Sequence, residues 1–168
     1  LWKGKRVKIV DGTTVTMPDT DANQTVYPQQ RGQKEGLGFP ICRLVGVTSL
    51  SSGALLGAAI SPFNGKGNDE QTLLRSLQDH FESGDVILGD AFYPTYFFIL
   101  EMQKRSVDIV MEQYGSRRLT TDFRKGKKLG KNDHVIEVTK SKRCPVWMSQ
   151  EEYDAAPDSL FVREFKVN

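Results

Sequence analysis

Asp85-Val86-Ile87-Leu88-Gly89-Asp90 is an apolar run closed at both ends by an acid. A strand buried on both faces reads this way, whereas a strand with one wet face alternates. Its flanks decide the fold. Upstream, Asn68-Asp69-Glu70-Gln71 opens a helix. Asn68 is the expected N-cap, Asp69 and Glu70 fall where the helix dipole favours acids, and Gln71 completes a capping-box spacing. Leu73, Leu74, Leu77 and Phe81 follow as one apolar stripe, stopped by Ser83-Gly84. Downstream, Pro94 is placed to start a second helix that runs to about Arg105, and residues 107–111 form another strand.

The first third is built differently. Residues 5–10 alternate basic and apolar side chains, with Val7 and Ile9 on one face, and end at Asp11-Gly12-Thr13-Thr14. Residues 17–40 are rich in Pro, Asp, Asn, Gln and Gly and read as a long loop of the kind that usually carries function. Residues 41–50 and 54–60 are two strands joined by the turn Ser51-Ser52-Gly53. The order is therefore three strands with hairpin-like connections, then helix, strand, helix, strand. Helix crossovers bring the later strands in parallel to the first, giving a mixed sheet. This is the α/β order of the ribonuclease-H-like fold, in which the first and fourth strands are neighbours. Such pairing joins Asp11 to Asp90 across 90 − 11 = 79 positions.

Two carboxylates at adjacent strand ends make a hard, oxygen-rich site suited to Mg²⁺ or Mn²⁺ and to phosphoryl chemistry. Asp-Gly is also a common turn, so the joint placement of the two aspartates carries the expectation. A third carboxylate usually completes such a site. Glu70 shares the helix stripe with Leu73 and Leu74, which would let it face inward as the first candidate, but stabilising the helix N-terminus is its simpler role. His134 reads as structural, and Trp2 and Trp147 read as packing residues.

Residues 1–112 are expected to form the core and residues 113–168 a basic, β-rich insertion. Between Gln113 and Pro145 stand ten basic residues against three acidic ones, a local charge of +7 in a chain whose net charge is +2. A basic arm on a mildly acidic core suits a phosphate backbone beside a metal site. Candidate DNA contacts are Arg117, Arg118, Arg124, Lys125, Lys127, Lys128 and Lys131 on the arm, with Thr13 and Lys34 near the first strand. Within the insertion, residues 135–138, 146–148 and 160–167 read as strands, and Ser149 with Glu152 as the cap of a short helix. Cys42 and Cys144 lack metal-type spacing and fit a reducing cytoplasm. No apolar run reaches the roughly 20 residues of a membrane helix. The ends, Leu1 and Asn168, suggest a piece of something longer.

Several blocks, in order, resemble bacterial insertion-sequence transposases of the DDE class, in the group with a Tyr-Arg-Glu-Lys signature. They are Lys8-Ile9-Val10-Asp11-Gly12-Thr13-Thr14 with Met17-Pro18-Asp19-Thr20, then Gln33-Lys34-Glu35-Gly36-Leu37-Gly38-Phe39-Pro40. Residues 85–93, Leu129-Gly130-Lys131-Asn132-Asp133-His134 and Val162-Arg163-Glu164 follow. The resemblance implies that Asp11 and Asp90 are the first two catalytic, metal-binding acids, served by Mg²⁺ or Mn²⁺. It also implies double-stranded DNA as substrate (transposon ends and target) and a homodimeric parent acting at the nucleoid. The third acid has no counterpart: Glu164 follows an arginine but lacks the tyrosine and lysine of the signature, so the acid is expected beyond Asn168 and the isolated chain is expected to be inactive. Two alternatives stand beside this reading. One is a non-catalytic DNA-binding or decayed fragment. The other is a haloacid-dehalogenase-like phosphatase, whose nucleophilic aspartate would fall where this chain has Ile9.

Overall fold

In the computed structural model, residues 1–113 and 121–167 are described. The strands of the first unit are β1 (Val7–Thr16), β2 (Ile41–Ser49), β3 (Leu55–Pro62), β4 (Val86–Gly89) and β5 (Asp108–Met111), in the order β3-β2-β1-β4-β5. β1–β2 and β2–β3 are antiparallel, whereas β1–β4 and β4–β5 are parallel. The mixed sheet and the β1–β4 adjacency are as the element order implies. Helices α2 (Glu70–Ser76) and α3 (Tyr96–Lys104) make the two crossovers. Both crossovers advance the same way across the sheet, so the right-handed rule places both helices on one face.

That face is the main core. Val10 of β1, Val45 and Val47 of β2 and Ile87 of β4 meet Leu73, Leu74 and Leu77 from the α2 side and Phe98 and Met102 from α3. Alternation puts Ile9, Asp11, Thr13 and Val15 on the opposite face. There Val15, Leu56, Ile60 and Val110 are exposed, and neither α2 nor α3 covers them.

Several boundaries differ from expectation for local reasons. β1 does not stop at Val10: β2 pairs with it as far as Thr16, and only the parallel pairing with β4, Val7 to Ile9, is short. Asp11 therefore lies inside a strand, at the point where its β4 neighbour ends. The expected loop over 17–40 contains a short helix α1 (Asp21–Val26), capped by Thr20 Oγ1 accepting from Asn23 N at 3.2 Å. α2 is capped by Asp69, whose carboxylate accepts from Thr72 N at 3.0 Å, and not by Asn68, whose amide donates to Asn64 O. Gln71 is consequently free of a capping role and donates to Phe92 O at 2.7 Å. The stripe outlasts α2 because a 3-10 turn, Gln78–His80, carries the chain from Leu77 to Phe81.

Deep to β1 and β4 lies an ionic anchor. Asp85 is fully buried and accepts from Lys8 Nζ, from Arg6 Nε at 2.9 Å and from Glu82 N at 2.8 Å. Lys8 is 7% exposed and also donates to His80 O. Burial alone would push the Asp85 carboxyl up, but the Lys8 and Glu82 hydrogen bonds and the charges of Lys8 and Arg6 outweigh it. The carboxyl is held below its ordinary value.

The remaining residues form β6 (Lys127–Gly130), β7 (Asp133–Thr139), α4 (Gln150–Ala155) and β8 (Ser159–Phe165), with the sheet order β6-β7-β8. β6 was hidden in the sequence because its lysines read as a turn. Residues 146–148 are not a strand: they form a turn into α4, where Ser149 and Glu152 make the expected capping box. This unit packs on the outer side of α3, where Phe97, Ile99 and Leu100 meet Ala156 and Leu160. Trp147 packs edge-on against Phe97 with the Arg75 guanidinium 4.2 Å from its ring centre, whereas Trp2 is half exposed. His134 is buried between Lys125 O and Glu164, a structural placement as expected.

Candidate metal centre and nucleic-acid surface

Val7, Lys8 and Ile9 pair with Val86, Ile87 and Leu88, a constant offset of 79. Carried two residues further, that offset sets Asp11 opposite Asp90, which is one residue past the end of β4. Both aspartates are exposed, Asp11 within β1 and Asp90 just past the C-terminal end of the adjacent strand β4. Each is steadied through one oxygen. Asp11 Oδ1 accepts from Gly12 N at 2.9 Å and Asp90 Oδ1 from Phe92 N at 2.8 Å, leaving the Oδ2 atoms free of hydrogen bonds among the described residues.

Two carboxylates, each with one oxygen uncommitted and open to solvent, fit a small hydrated divalent cation, which keeps several waters of its own. Asp11 and Asp90 are the residues that would hold it. Among the described residues no group of three or more His, Cys, Asp or Glu is disposed to bind a metal. Glu164 is not a third acid here: it lies in β8, on the second sheet, against His134.

Glu70 departs from its expected role. It does start α2, but its side chain turns inward. Oε1 pairs with Arg43 Nη1 at 3.0 Å, and Oε2 accepts from Tyr93 Oη at 3.2 Å. Its carboxyl carbon lies 2.5 Å from where a Cβ on Gly12 would stand. Gly12 is thus a close-approach glycine within β1, not the turn glycine that Asp-Gly suggests. Since Gly12 faces Glu70, Asp11 points to the other face of the sheet. Burial, then the charge of Glu70 and more weakly those of Asp90 and Asp11, push the Tyr93 hydroxyl far above its ordinary range. Tyr93 is therefore a permanent donor. The Arg43-Glu70-Tyr93 arrangement could not be found from spacing, because its members come from β2, α2 and the loop after β4.

The candidate DNA contacts divide. Arg124, Lys125, Lys127, Lys128 and Lys131 are exposed at the β6–β7 hairpin, and Thr13 is exposed on the same face of β1 as Asp11. Lys34 is exposed in the loop before β2. Arg124 is committed in part to Asp122, whose carboxyl its hydrogen bonds hold down at about 2. Arg117 and Arg118 lie outside the described residues. No described helix is long and apolar enough to cross a membrane.

A family profile described as the transposase DDE domain matches residues 2–159. No curated protein and no solved structure matches the chain. Domains of this family act on DNA and generally use divalent metal ions, which selects transposase over phosphatase. With the match running from the first strand into the second sheet, the chain belongs to the family of transposase DDE domains.

Proposed function

We propose that this chain is a segment of a transposase catalytic domain from the insertion-sequence group with the Tyr-Arg-Glu-Lys signature. Asp11 and Asp90 contribute two of its metal-binding acids. The supporting observation is the parallel register of β1 with β4, whose offset of 79, carried on, leads to Asp11 and Asp90, each with one carboxylate oxygen free of hydrogen bonds among the described residues. The bound Mg²⁺ or Mn²⁺ would supply Lewis-acid stabilisation of the phosphodiester oxygens. The chain's own residues do the placing: β1 and β4 fix the two carboxylates, and the backbone N–H groups of Gly12 and Phe92 orient them. The lysines of the β6–β7 hairpin attract the DNA backbone. Residues 1–112 serve as the core and residues 113–168 as a DNA-binding insertion. The parent acts as a homodimer on transposon ends and target DNA at the bacterial nucleoid.

With only two carboxylates at the site, the 168-residue chain is expected to bind double-stranded DNA without cutting it. In a binding titration, Mn²⁺ should strengthen DNA affinity relative to EDTA, and Asp90→Asn should remove that gain. If Mn²⁺ has no effect, a purely DNA-binding role replaces the catalytic one. Nicking of supercoiled plasmid by the chain alone would refute the incompleteness of the site.

A further inference from the structure

Glu70 has a connection that a helix-start acid does not need. An exposed glutamate in the first turn would favour the helix dipole equally well. Here the side chain is only 20% exposed, and it meets three other elements at once. Arg43 of β2 holds Oε1, Tyr93 of the β4–α3 loop donates to Oε2, and the carboxyl carbon lies 2.5 Å from where a Cβ on Gly12 of β1 would stand. Tyr93 in turn packs its ring 3.3 Å from where a Cβ on Gly89 would stand. One carboxylate thus touches the residue after Asp11 and, through Tyr93, the residue before Asp90. It does so from the helix-covered face, so it bears on the backbone that carries the aspartates and not on the side where their carboxylates point.

We propose that Glu70 is a positioning residue for the metal site, setting the separation of Asp11 and Asp90 by gripping Gly12 from behind and anchoring Tyr93. The proposal rests on the reading that these aspartates hold a divalent cation. Arg43 neutralises the half-buried charge, and Tyr93, unable to ionise in ordinary buffers, keeps its hydrogen bond at every working pH. Partners that orient metal ligands without touching the ion typically change metal affinity by about 10–100-fold when removed.

The test is Mn²⁺ affinity of the 168-residue chain, read from the electron paramagnetic resonance signal of free Mn²⁺, with urea midpoints recorded for every variant. Glu70→Asp keeps the charge but cannot span Gly12, Arg43 and Tyr93 together. Tyr93→Phe removes one hydroxyl and no charge. Both are expected to weaken Mn²⁺ binding by about tenfold. Because Tyr93→Phe preserves the packing volume, it serves as the deciding variant if Glu70→Asp fails to fold. Binding within about twofold of wild type in a folded Tyr93→Phe and Glu70→Asp would overturn the proposal. Asp90→Asn is the control for the underlying reading. If it binds Mn²⁺ as well as wild type, the metal site itself is wrong and the proposal falls with it. If Asp90→Asn alone loses the ion, the site stands and only the role of Glu70 is refuted.

Discussion

Replacing Asp85 by Asn should cost the fold more than any other near-isosteric change at the β1–β4 seam. The carboxylate is fully buried and holds three donors, of which Lys8 is itself 7% exposed. Removing one member of a buried pair leaves the other charged and unsolvated, at a cost of about 3–5 kcal/mol. Arg6 is half exposed, so solvent screens its share. Asn keeps the volume and one acceptor, and Lys8 keeps His80 O, which together place the loss near 3 kcal/mol. Urea denaturation should show a lower midpoint with an unchanged slope. At this chain length the melting temperature should fall by roughly 10 °C. The double change Lys8→Met with Asp85→Leu should recover much of the loss, because apolar replacement of a whole buried pair is often close to neutral. A loss below about 1 kcal/mol for Asp85→Asn would refute the anchor. The anchor matters for the proposed function because it joins Lys8 of β1 to Asp85, the residue before β4, where the two strands pair at an offset of 79.

The same anchor has a pH signature. The folded carboxyl of Asp85 is held below its unfolded value of about 3.9, so its contribution is complete above that value and disappears as pH falls through the folded one. The stability gap between wild type and Asp85→Asn should be flat from about pH 8 to 5 and shrink below about pH 4; a gap unchanged at pH 3 contradicts this. Gly12→Ala should force the Glu70 carboxylate aside and destabilise by about 1–3 kcal/mol. Its effect should be non-additive with Glu70→Ala, and strict additivity in a double-mutant cycle would mean the two residues do not meet. Replacing Arg124, Lys125, Lys127 and Lys128 by Ala should lower the slope of log affinity for DNA against log salt by about 3. That is slightly less than four full phosphate contacts, because Arg124 is shared with Asp122. An unchanged slope would make the hairpin a solvated surface.

What the sequence disclosed follows physical lines. The apolar run at Val86–Leu88 and the stripe Leu73, Leu74, Leu77 are periodic signals, and they delivered the parallel strand, its crossover helix and the adjacency of β1 and β4. Strand ends were less legible, because β1 continues to Thr16 only through its pairing with β2, a contact no local pattern records. β6 was hidden because lysines favour turns by composition, while β7 recruits them into a ladder. Glu70 shares the stripe of Leu73 and Leu74, which allows an inward side chain, but its place at a helix start offers the simpler dipole role. Its inward turn depends on Arg43 and Tyr93, which lie 27 positions before and 23 after it. Asp11-Gly12 also matches a common turn dipeptide, and no local pattern shows the close approach, because the carboxylate that excludes a Cβ arrives from another element.

Anomalous diffraction from crystals of the chain soaked in Mn²⁺ tests the centre of the reading most directly. One ion is expected between Asp11 and Asp90, on the sheet face opposite Gly12, within about 2.0–2.2 Å of an oxygen from each carboxylate, and the peak should vanish in Asp90→Asn. Carboxylates more than about 8 Å apart with no ion between them, or a peak that survives Asp90→Asn, would contradict it.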